Sequence, residues 1–233
     1  MDPGQLFVDN RLVGICAYCG AQPDTRDHVP SKVLLDEPFP PNLPVVDACA
    51  ECNISFSLDE QYCACFIECV VCGTTDPSRI SRLNVKRCLN ESPTLRGRIA
   101  ASQRCSDSGE LLWQPEVDRI RRLIIKLARG HAAYELYPQL DKPVEVDCFP
   151  LLTMTEQERT TFEGIEVGSV RGWPELGTRS FRRILYADSQ SRQVNDWIIV
   201  QPERYRYAVV EANTGLSVKM VLSEYLACAV AWE

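Results

Sequence analysis

Two pairs of cysteines near the start of the chain have the spacing of a metal site. Each pair encloses two residues, and the four positions are Cys16, Cys19, Cys49 and Cys52. A CxxC pair curls through a tight turn and offers two thiolates, so two pairs can close a tetrahedral shell around one zinc ion. The sequence therefore predicts a structural zinc site. Structural zinc motifs usually separate their pairs by about 15–20 residues, whereas residues 20–48 lie between these two.

The long segment between the pairs carries polar residues that could form a second site. Asp27 and His28 are adjacent, Asn42 follows, and Asn53 comes directly after the last cysteine. A neutral histidine can take a proton from water near pH 7. Side-chain oxygens in small number suit a hard cation that keeps part of its water shell. We interpret the zinc as a scaffold and these polar residues as the site that it supports.

Taken together, these residues resemble the HNH endonucleases, which have the ββα-metal fold. Five elements occur in the order typical of that family: Cys16-x2-Cys19, Asp27-His28-Val29-Pro30, Asn42-Leu43, Cys49-x2-Cys52 and Asn53. The resemblance covers residues 12–62, about a fifth of the chain. A single CxxC or a single Asp-His pair would be weak evidence, but the ordered set is specific.

The resemblance implies metal-assisted hydrolysis of phosphodiester bonds. It implies that His28 is the general base and that Asn42 fixes the loop and orients the histidine. It also implies that Asp27 and Asn53 hold one divalent ion, Mg²⁺ or Mn²⁺, separate from the structural Zn²⁺. Such an ion takes up the charge that develops on the phosphate and on the leaving oxygen.

The chain departs from the family pattern after Asn53. Many HNH proteins continue as Asn-x-x-Lys-Gly, but residues 54–60 read Ile-Ser-Phe-Ser-Leu-Asp-Glu, without a basic residue. Glu60 lies seven positions after Asn53, on the same face if one helix spans both, and could complete the metal shell. Asp59 is the less well placed alternative, and both could instead be ordinary solvated acids. The missing lysine leaves phosphate contact to other residues, such as Arg79, Arg82 or Lys86.

Other conspicuous residues are interpreted as structural. Cys69-x2-Cys72 is a third CxxC, but it ends an apolar segment and no further pair follows at a suitable spacing, which favours small buried thiols. His131 follows a glycine at the end of a basic helix, where packing or capping is the simpler role. Tyr205-Arg206-Tyr207 could stack on bases, but alternation along an antiparallel strand explains the pattern more simply.

The elements that position these residues predict an α+β fold. A zinc-stabilised ββα-metal (HNH) module is followed by a helical segment and a mostly antiparallel β-rich region. Helices are expected at 54–72, within 78–104 and at 116–136, where an apolar stripe repeats with helical spacing. A hairpin at 6–15, strands at 181–187, 197–200, 205–211, 217–222 and 226–232, and a turn at 213–215 complete the assignment. The predicted domains are 1–77, 78–138 and 139–233.

Charge is unevenly distributed along the chain. The net charge is −7, yet residues 79–129 hold 12 basic and 5 acidic side chains, a local +7. Such a block can be a phosphate-binding surface, although a solvated helical surface has the same composition. The predicted nucleic-acid-binding residues are Arg79, Arg82, Lys86, Arg87, Arg119, Arg122 and Lys126.

Composition narrows the remaining choices. No apolar run reaches the length of a membrane span, and the first residues lack the features of a signal peptide. Twelve cysteines at such spacings then favour reduced thiols and a cytoplasmic protein. The sequence thus predicts a metal-dependent DNA endonuclease, which by analogy with the family could serve in restriction or anti-phage defence. The alternatives are a weakly active or inactive zinc-knuckle nucleic-acid-binding module, an RNA-directed nuclease, and a structural protein that assembles through its C-terminal sheet. Residues 139–233 could also bind a second copy or a regulatory partner.

Overall fold

A computed structural model of the protein describes residues 14–41, 43–107, 109, 111–164, 193–194, 197–212 and 215–233. Most of the predicted hairpin at 6–15, the predicted strand 181–187 and the first two residues of the predicted turn at 213–215 lie outside these ranges. The described part mixes helices with an antiparallel C-terminal sheet, which confirms the predicted α+β class. No helix within these ranges is long and apolar enough to cross a membrane.

The N-terminal part is a two-stranded hairpin followed by helices. The hairpin pairs β1 (Thr25–His28) with β2 (Val45–Ala48) in antiparallel register, so that Thr25 lies opposite Ala48. Helix α1 (Ala50–Ser55) starts directly at the second cysteine pair, and the Sγ of its N-cap residue Cys49 accepts a hydrogen bond from the Cys52 N–H at 3.5 Å.

A second helix, α2 (Ser57–Cys72), follows after a break at Phe56. The hydroxyls of Ser55 and Ser57 donate to the carbonyls of Cys52 and Ile54, three residues earlier. Bonds of this kind compete with regular helical hydrogen bonds. The single helix predicted at 54–72 is therefore two helices.

Three helices occupy the central part of the chain. They are α3 (Leu83–Glu91), α4 (Pro93–Ala101) and the long α5 (Val117–Glu135). Helices α3 and α4 pack on α2, whereas α5 packs on one face of the C-terminal sheet. A small ribbon of β3 (Gln103–Cys105) and β4 (Leu111–Trp113) lies between α4 and α5. Helix α5 contacts α2, the hairpin strand β2 and three strands of the sheet, so it is the element that joins both ends of the protein.

Within the described residues, the C-terminal sheet has six antiparallel strands in the order β5-β10-β9-β8-β7-β6. Their bounds are Glu145–Pro150, Leu226–Trp232, Gly215–Leu222, Tyr205–Ala212, Trp197–Gln201 and Gln193–Val194. A short helix, α6 (Glu156–Glu163), follows β5. The strands predicted at 197–200, 205–211, 217–222 and 226–232 are confirmed to within two residues at either end.

Three apolar clusters hold the described structure together. The largest joins α2, α3, α4 and α5 to one face of the sheet, and a smaller one lies on the other face beneath α6. The third packs the first cysteine pair and the hairpin against the end of α5. All three predicted segments of the chain thus contribute to one main core, and an ion-pair network adds to it.

The network centres on Asp36. Its carboxylate pairs with the Nε of Arg82 at 2.6 Å and with the Nε of Arg204. A further N–H of Arg82 donates to the Leu35 carbonyl at 2.8 Å. Burial raises the pKa of Asp36, but the two guanidinium groups outweigh it and hold the pKa below its ordinary value. This carboxylate therefore links the N-terminal loop, the start of α3 and the sheet.

Candidate metal centre and adjoining polar site

The four predicted zinc ligands converge at one end of the hairpin. The Sγ atoms of Cys16, Cys19, Cys49 and Cys52 all lie within 4.8 Å of one another. The Cys19 and Cys49 sulfurs are 3.7 Å apart, and a tetrahedron with Zn–S bonds of about 2.3 Å has edges of about 3.8 Å. Among the described residues no other group of His, Cys, Asp or Glu ligand atoms is this close. The cluster is compatible with a structural metal such as zinc.

Backbone hydrogen bonds shape the first cysteine pair. The Cys16 N–H donates to the Ala21 carbonyl at 2.7 Å, and the Gly20 N–H donates to the Cys16 carbonyl at 2.9 Å. Gly20 has a φ of +76°, and a Cβ at this position would lie 2.8 Å from Leu140 Cδ1. The turn therefore needs glycine for its left-handed conformation, whereas the end of the exposed Leu140 side chain could move to admit a Cβ.

The four thiols affect one another's ionisation. Burial raises the pKa of Cys16, but hydrogen bonds from neighbouring backbone groups outweigh it and lower the pKa to about 7. Burial, together with hydrogen bonds to the adjacent thiols, raises the pKa of Cys52. Without a cation the cluster thus favours the thiolate of Cys16 and disfavours that of Cys52, whereas a bound dication stabilises its thiolate ligands.

His28 is the last residue of β1 and is half-buried. Its Nδ1 is buried and has no hydrogen-bond partner among the residues described. Burial and then the charge of Lys32 lower its pKa, against opposing contributions from Asp27 and the Pro44 carbonyl. The ring is therefore neutral at pH 7, the state that a base requires. Asn42, predicted to orient this ring, lies outside the described residues.

Asp27 and Asn53 lie on one face of the hairpin. Alternation along β1 directs Thr25 and Asp27 to the same side. The side-chain amide of Asn53 donates to Thr25 Oγ1 and to the Arg26 carbonyl, both at 3.4 Å. Asn53, the residue of α1 directly after the cysteine pair, thus contacts the strand that carries Asp27 and His28.

Glu60 also approaches Asp27, but through a lysine. The Nζ of Lys126 is 2.6 Å from Asp27 Oδ2, 2.8 Å from Glu60 Oε1 and 2.8 Å from Ser31 Oγ. The neighbouring Asp59 is buried and pairs with Arg119 and Arg122, which lie on α5 like Lys126. Both acids after Asn53 are therefore bound by cations of α5, and neither is an ordinary solvated helix residue.

These contacts bear on the predicted ligands of a divalent ion. The position between Asp27 and Glu60 holds an ammonium, so an ion at that point would have to displace it. Asp27 Oδ2 and Glu60 Oε1 are bound alike, each by Lys126 and by one hydroxyl, so the contacts do not separate the two acids as ligands. That Asp27, Asn53 and Glu60 hold a divalent ion stays a prediction.

Two of the seven predicted nucleic-acid-binding residues require correction. The side chain of Arg82 is 3% exposed and that of Lys126 is 0% exposed, and both neutralise internal carboxylates. The charge count along the sequence could not distinguish such cations from surface ones. Arg79 and Arg87 are exposed, and Lys86 is half-buried. Arg119 and Arg122 are 22% and 60% exposed. For these five the assignment stays a prediction.

Sequence reasoning missed three residues of the polar site. Tyr18, Ser31 and Lys126 had no assigned role there, and the lysine comes from a helix that lies far along the chain. One signal was present in the sequence. Lys126 is three residues after Leu123 and four before Gly130, so it interrupts the apolar face of α5 with a charge.

The structural interpretation of the other residues is confirmed. His131 is fully buried, stacks on Tyr207 with a ring separation of 3.7 Å and has its Nε2 2.8 Å from the Tyr205 hydroxyl. Arg206 points to the other face of the sheet and pairs with Glu163 and Glu224. Of the third CxxC pair, Cys69 is buried in α2 as expected, whereas Cys72 is only half-buried and donates to Glu68 Oε1 at 3.6 Å.

Comparison with known proteins adds no relative. No family model, curated protein or solved structure matches the chain.

Proposed function

We propose that this protein is an endonuclease that hydrolyses the phosphodiester bonds of DNA. The supporting observation is that Asp27 and His28 are neighbours on β1 and that Asn53 of α1, directly after the four-cysteine cluster, donates to Thr25 and Arg26 of the same strand. This combination serves hydrolysis because a base, a place for a cation and a rigid support are needed together.

In this proposal His28 removes a proton from the attacking water. Its Nδ1 lies inside the protein, so Nε2 is the nitrogen that accepts the proton. Asp27 and Asn53 would hold the divalent ion, Mg²⁺ or Mn²⁺, whose charge would stabilise the phosphate and the leaving oxygen. The structural zinc keeps β1 and α1 at a fixed separation and takes no part in the reaction.

The surface cations Arg79, Lys86, Arg87, Arg119 and Arg122 are proposed to receive the phosphate backbone. All twelve cysteines are unpaired in the structure, and we place the protein in a reducing compartment such as the cytoplasm. The family resemblance extends the proposal to restriction or anti-phage defence.

A second candidate is a zinc-stabilised module that binds nucleic acid without cleaving it. The ion pair between Asp27 and Lys126 favours it, because this pair occupies one oxygen of a proposed metal ligand. The two candidates differ in turnover and share the phosphate-binding surface.

The test is nicking of supercoiled plasmid by zinc-loaded protein with Mg²⁺, Mn²⁺ or EDTA, for wild type and His28→Ala. We expect nicking that needs the divalent ion and is lost in His28→Ala, whose zinc content stays unchanged. Leu152→Ala, at a position 87% exposed beside the sheet, is the matched control for a copurifying nuclease and should nick like wild type. Binding without nicking of DNA or a parallel RNA substrate would instead select the second candidate.

A further inference from the structure

Two cysteines lie opposite each other at one edge of the C-terminal sheet. Cys148 of β5 and Cys228 of β10 are register partners in this antiparallel pair of strands. Among the described residues β5 is an outermost strand of the sheet. Cys148 is half-buried, whereas Cys228 is fully buried. The pair thus has an outer and an inner thiol, and neither belongs to the four-cysteine cluster.

The hydrogen bonds between the two strands show that these side chains are close. The Leu151 N–H donates to the Tyr225 carbonyl at 2.7 Å, so these two residues form a hydrogen-bonded pair. Such pairs alternate with non-hydrogen-bonded ones along an antiparallel ladder. Cys148 and Cys228 lie three positions away on their strands and therefore form a non-hydrogen-bonded pair. The Cα atoms in such a pair are about 4.5 Å apart, a separation that a disulfide can span.

The two thiols differ in ionisation. A hydrogen bond with the Cys228 side chain lowers the pKa of Cys148, against opposing contributions from burial and from the charge of Asp147. Burial raises the pKa of Cys228, and the hydrogen bond to Cys148 adds to this. Because the thiolate is the reactive form of cysteine, the outer Cys148 is the nucleophile. Cys228 donates to that thiolate and is the nearest group that could react with its oxidised form.

The other cysteines considered as partners lack this combination. Cys65 of α2 is also hydrogen-bonded to another thiol, that of Cys88 in α3, but burial raises the pKa of Cys65. Cys105 is exposed and lies opposite Leu111 in the β3–β4 ribbon. An accessible thiolate beside a second thiol that can form a disulfide with it is the arrangement that suits reversible oxidation.

We propose that Cys148 and Cys228 form a site of reversible oxidation by hydroperoxides. The Cys148 thiolate attacks one oxygen of hydrogen peroxide, the O–O bond breaks, and hydroxide leaves and takes up a proton to become water. The Cys228 sulfur then attacks the sulfur of the Cys148 sulfenic acid, and the sulfenic oxygen leaves as water with the Cys228 proton. The two thiols together lose two electrons, and the peroxide is reduced to two waters. The disulfide joins the edge strand β5 to β10, and cellular thiols can reduce it again.

The experiment maps disulfides in zinc-loaded protein at increasing concentrations of hydrogen peroxide. Free thiols are alkylated with iodoacetamide, and the protein is digested with trypsin without reduction and measured by mass spectrometry. Trypsin places Cys148 and Cys228 in separate peptides without another cysteine, residues 130–159 and 220–233. We expect these two peptides to become linked at a lower peroxide concentration than oxidises Cys105, and dithiothreitol to separate them. Oxidation of Cys105 while Cys148 and Cys228 remain alkylated would overturn the proposal, as would linkage of Cys148 to a different cysteine.

Two variants test the separate roles of the thiols. In Cys228→Ser the sulfenic acid of Cys148 has no thiol to react with, so dimedone should label Cys148. In Cys148→Ser the buried Cys228 should remain a thiol and take no dimedone. Labelling of Cys228 in Cys148→Ser, or an unlabelled Cys148 in Cys228→Ser, would refute these roles. Cys105→Ser is the matched control and should form the disulfide like wild type.

The wild-type peptide map needs no substitution, so it decides the proposal even if a variant does not fold. None of these measurements uses nicking of DNA. The oxidation site and the proposed nuclease activity can therefore fail independently of each other.

Discussion

Replacing Gly130 tests how closely α5 approaches the strand that carries His28. A Cβ at Gly130 would lie 2.6 Å from Val29 Cγ2 and 3.0 Å from Cγ1. Carbon atoms in contact prefer about 3.5–4.0 Å, so α5 and β1 would have to separate by roughly 1 Å. Val29 is fully buried and cannot turn away into solvent. Gly130→Ala should therefore strain the position at which the hairpin meets the helix.

The magnitude follows from two opposing terms. Alanine in place of glycine inside a helix stabilises by about 0.5–1 kcal/mol. Forcing an extra carbon into a packed interface costs about 1–3 kcal/mol. The expected net effect of Gly130→Ala is a loss of about 1–2 kcal/mol in the free energy of unfolding, together with reduced nicking, because Lys126 lies one turn away on the same face.

The matched control is Gly97→Ala in α4. No atom lies within 4 Å of a Cβ built at Gly97, so only the helix-propensity term applies and the free energy of unfolding should rise by up to about 1 kcal/mol. Urea unfolding of zinc-loaded protein, followed by circular dichroism, measures both variants. In the double variant Val29→Ala/Gly130→Ala the methyl groups that obstruct the new Cβ are absent. Its loss in the free energy of unfolding should therefore be smaller than the sum of the two single losses by about 1 kcal/mol or more. Equal stabilisation by Gly130→Ala and Gly97→Ala would refute the close approach.

Two further predictions concern the metal and the basic surface. We expect one zinc per chain in wild type and its loss in Cys52→Ala, since three thiolates cannot close the shell. Cys105→Ala, at an exposed cysteine outside the cluster, should keep the zinc, and elemental analysis after dialysis measures both variants. Arg122→Ala should reduce the slope of log affinity against log salt for duplex DNA by about 1, measured by fluorescence anisotropy. Arg82→Met, at a buried guanidinium, should lower stability and leave that slope unchanged. A slope that responds to Arg82 and not to Arg122 would contradict the assignment of these residues.

Local sequence signals predicted the elements well where one face of an element is apolar. The stripe of Ile120, Leu123, Ile124 and Leu127 placed α5 to within a residue, because helical spacing and burial agree there. The four cysteines converge as predicted because their spacing alone encodes two metal-binding turns. The break at Phe56 was missed, since the serine hydroxyls that interrupt the helix are common in uninterrupted helices as well.

The partners of the charged residues could not be predicted in this way. Lys126 lies 66 positions after Glu60 and 99 after Asp27, and no local pattern specifies which distant carboxylate a lysine meets. Arg82 likewise pairs with Asp36, 46 positions earlier. A count of charges along the chain treats all cations of residues 79–129 as one surface, whereas packing divides them into buried and exposed groups.

Three cations of α5 contact residues of the N-terminal part, so the proposed site is larger than the segment that resembles HNH endonucleases. Arg119 neutralises Asp59, Lys126 joins Asp27 to Glu60, and Arg129 donates to the Tyr18 carbonyl beside the first cysteine pair at 3.0 Å. The far end of the same helix packs against the sheet. A fragment that ends before α5 would keep the four cysteines and His28 but would leave the carboxylates of Asp27 and Glu60 without their shared cation. Each proposed metal ligand and the proposed base must therefore be assayed in the whole chain, where α5 supplies the cation that Asp27 and Glu60 share.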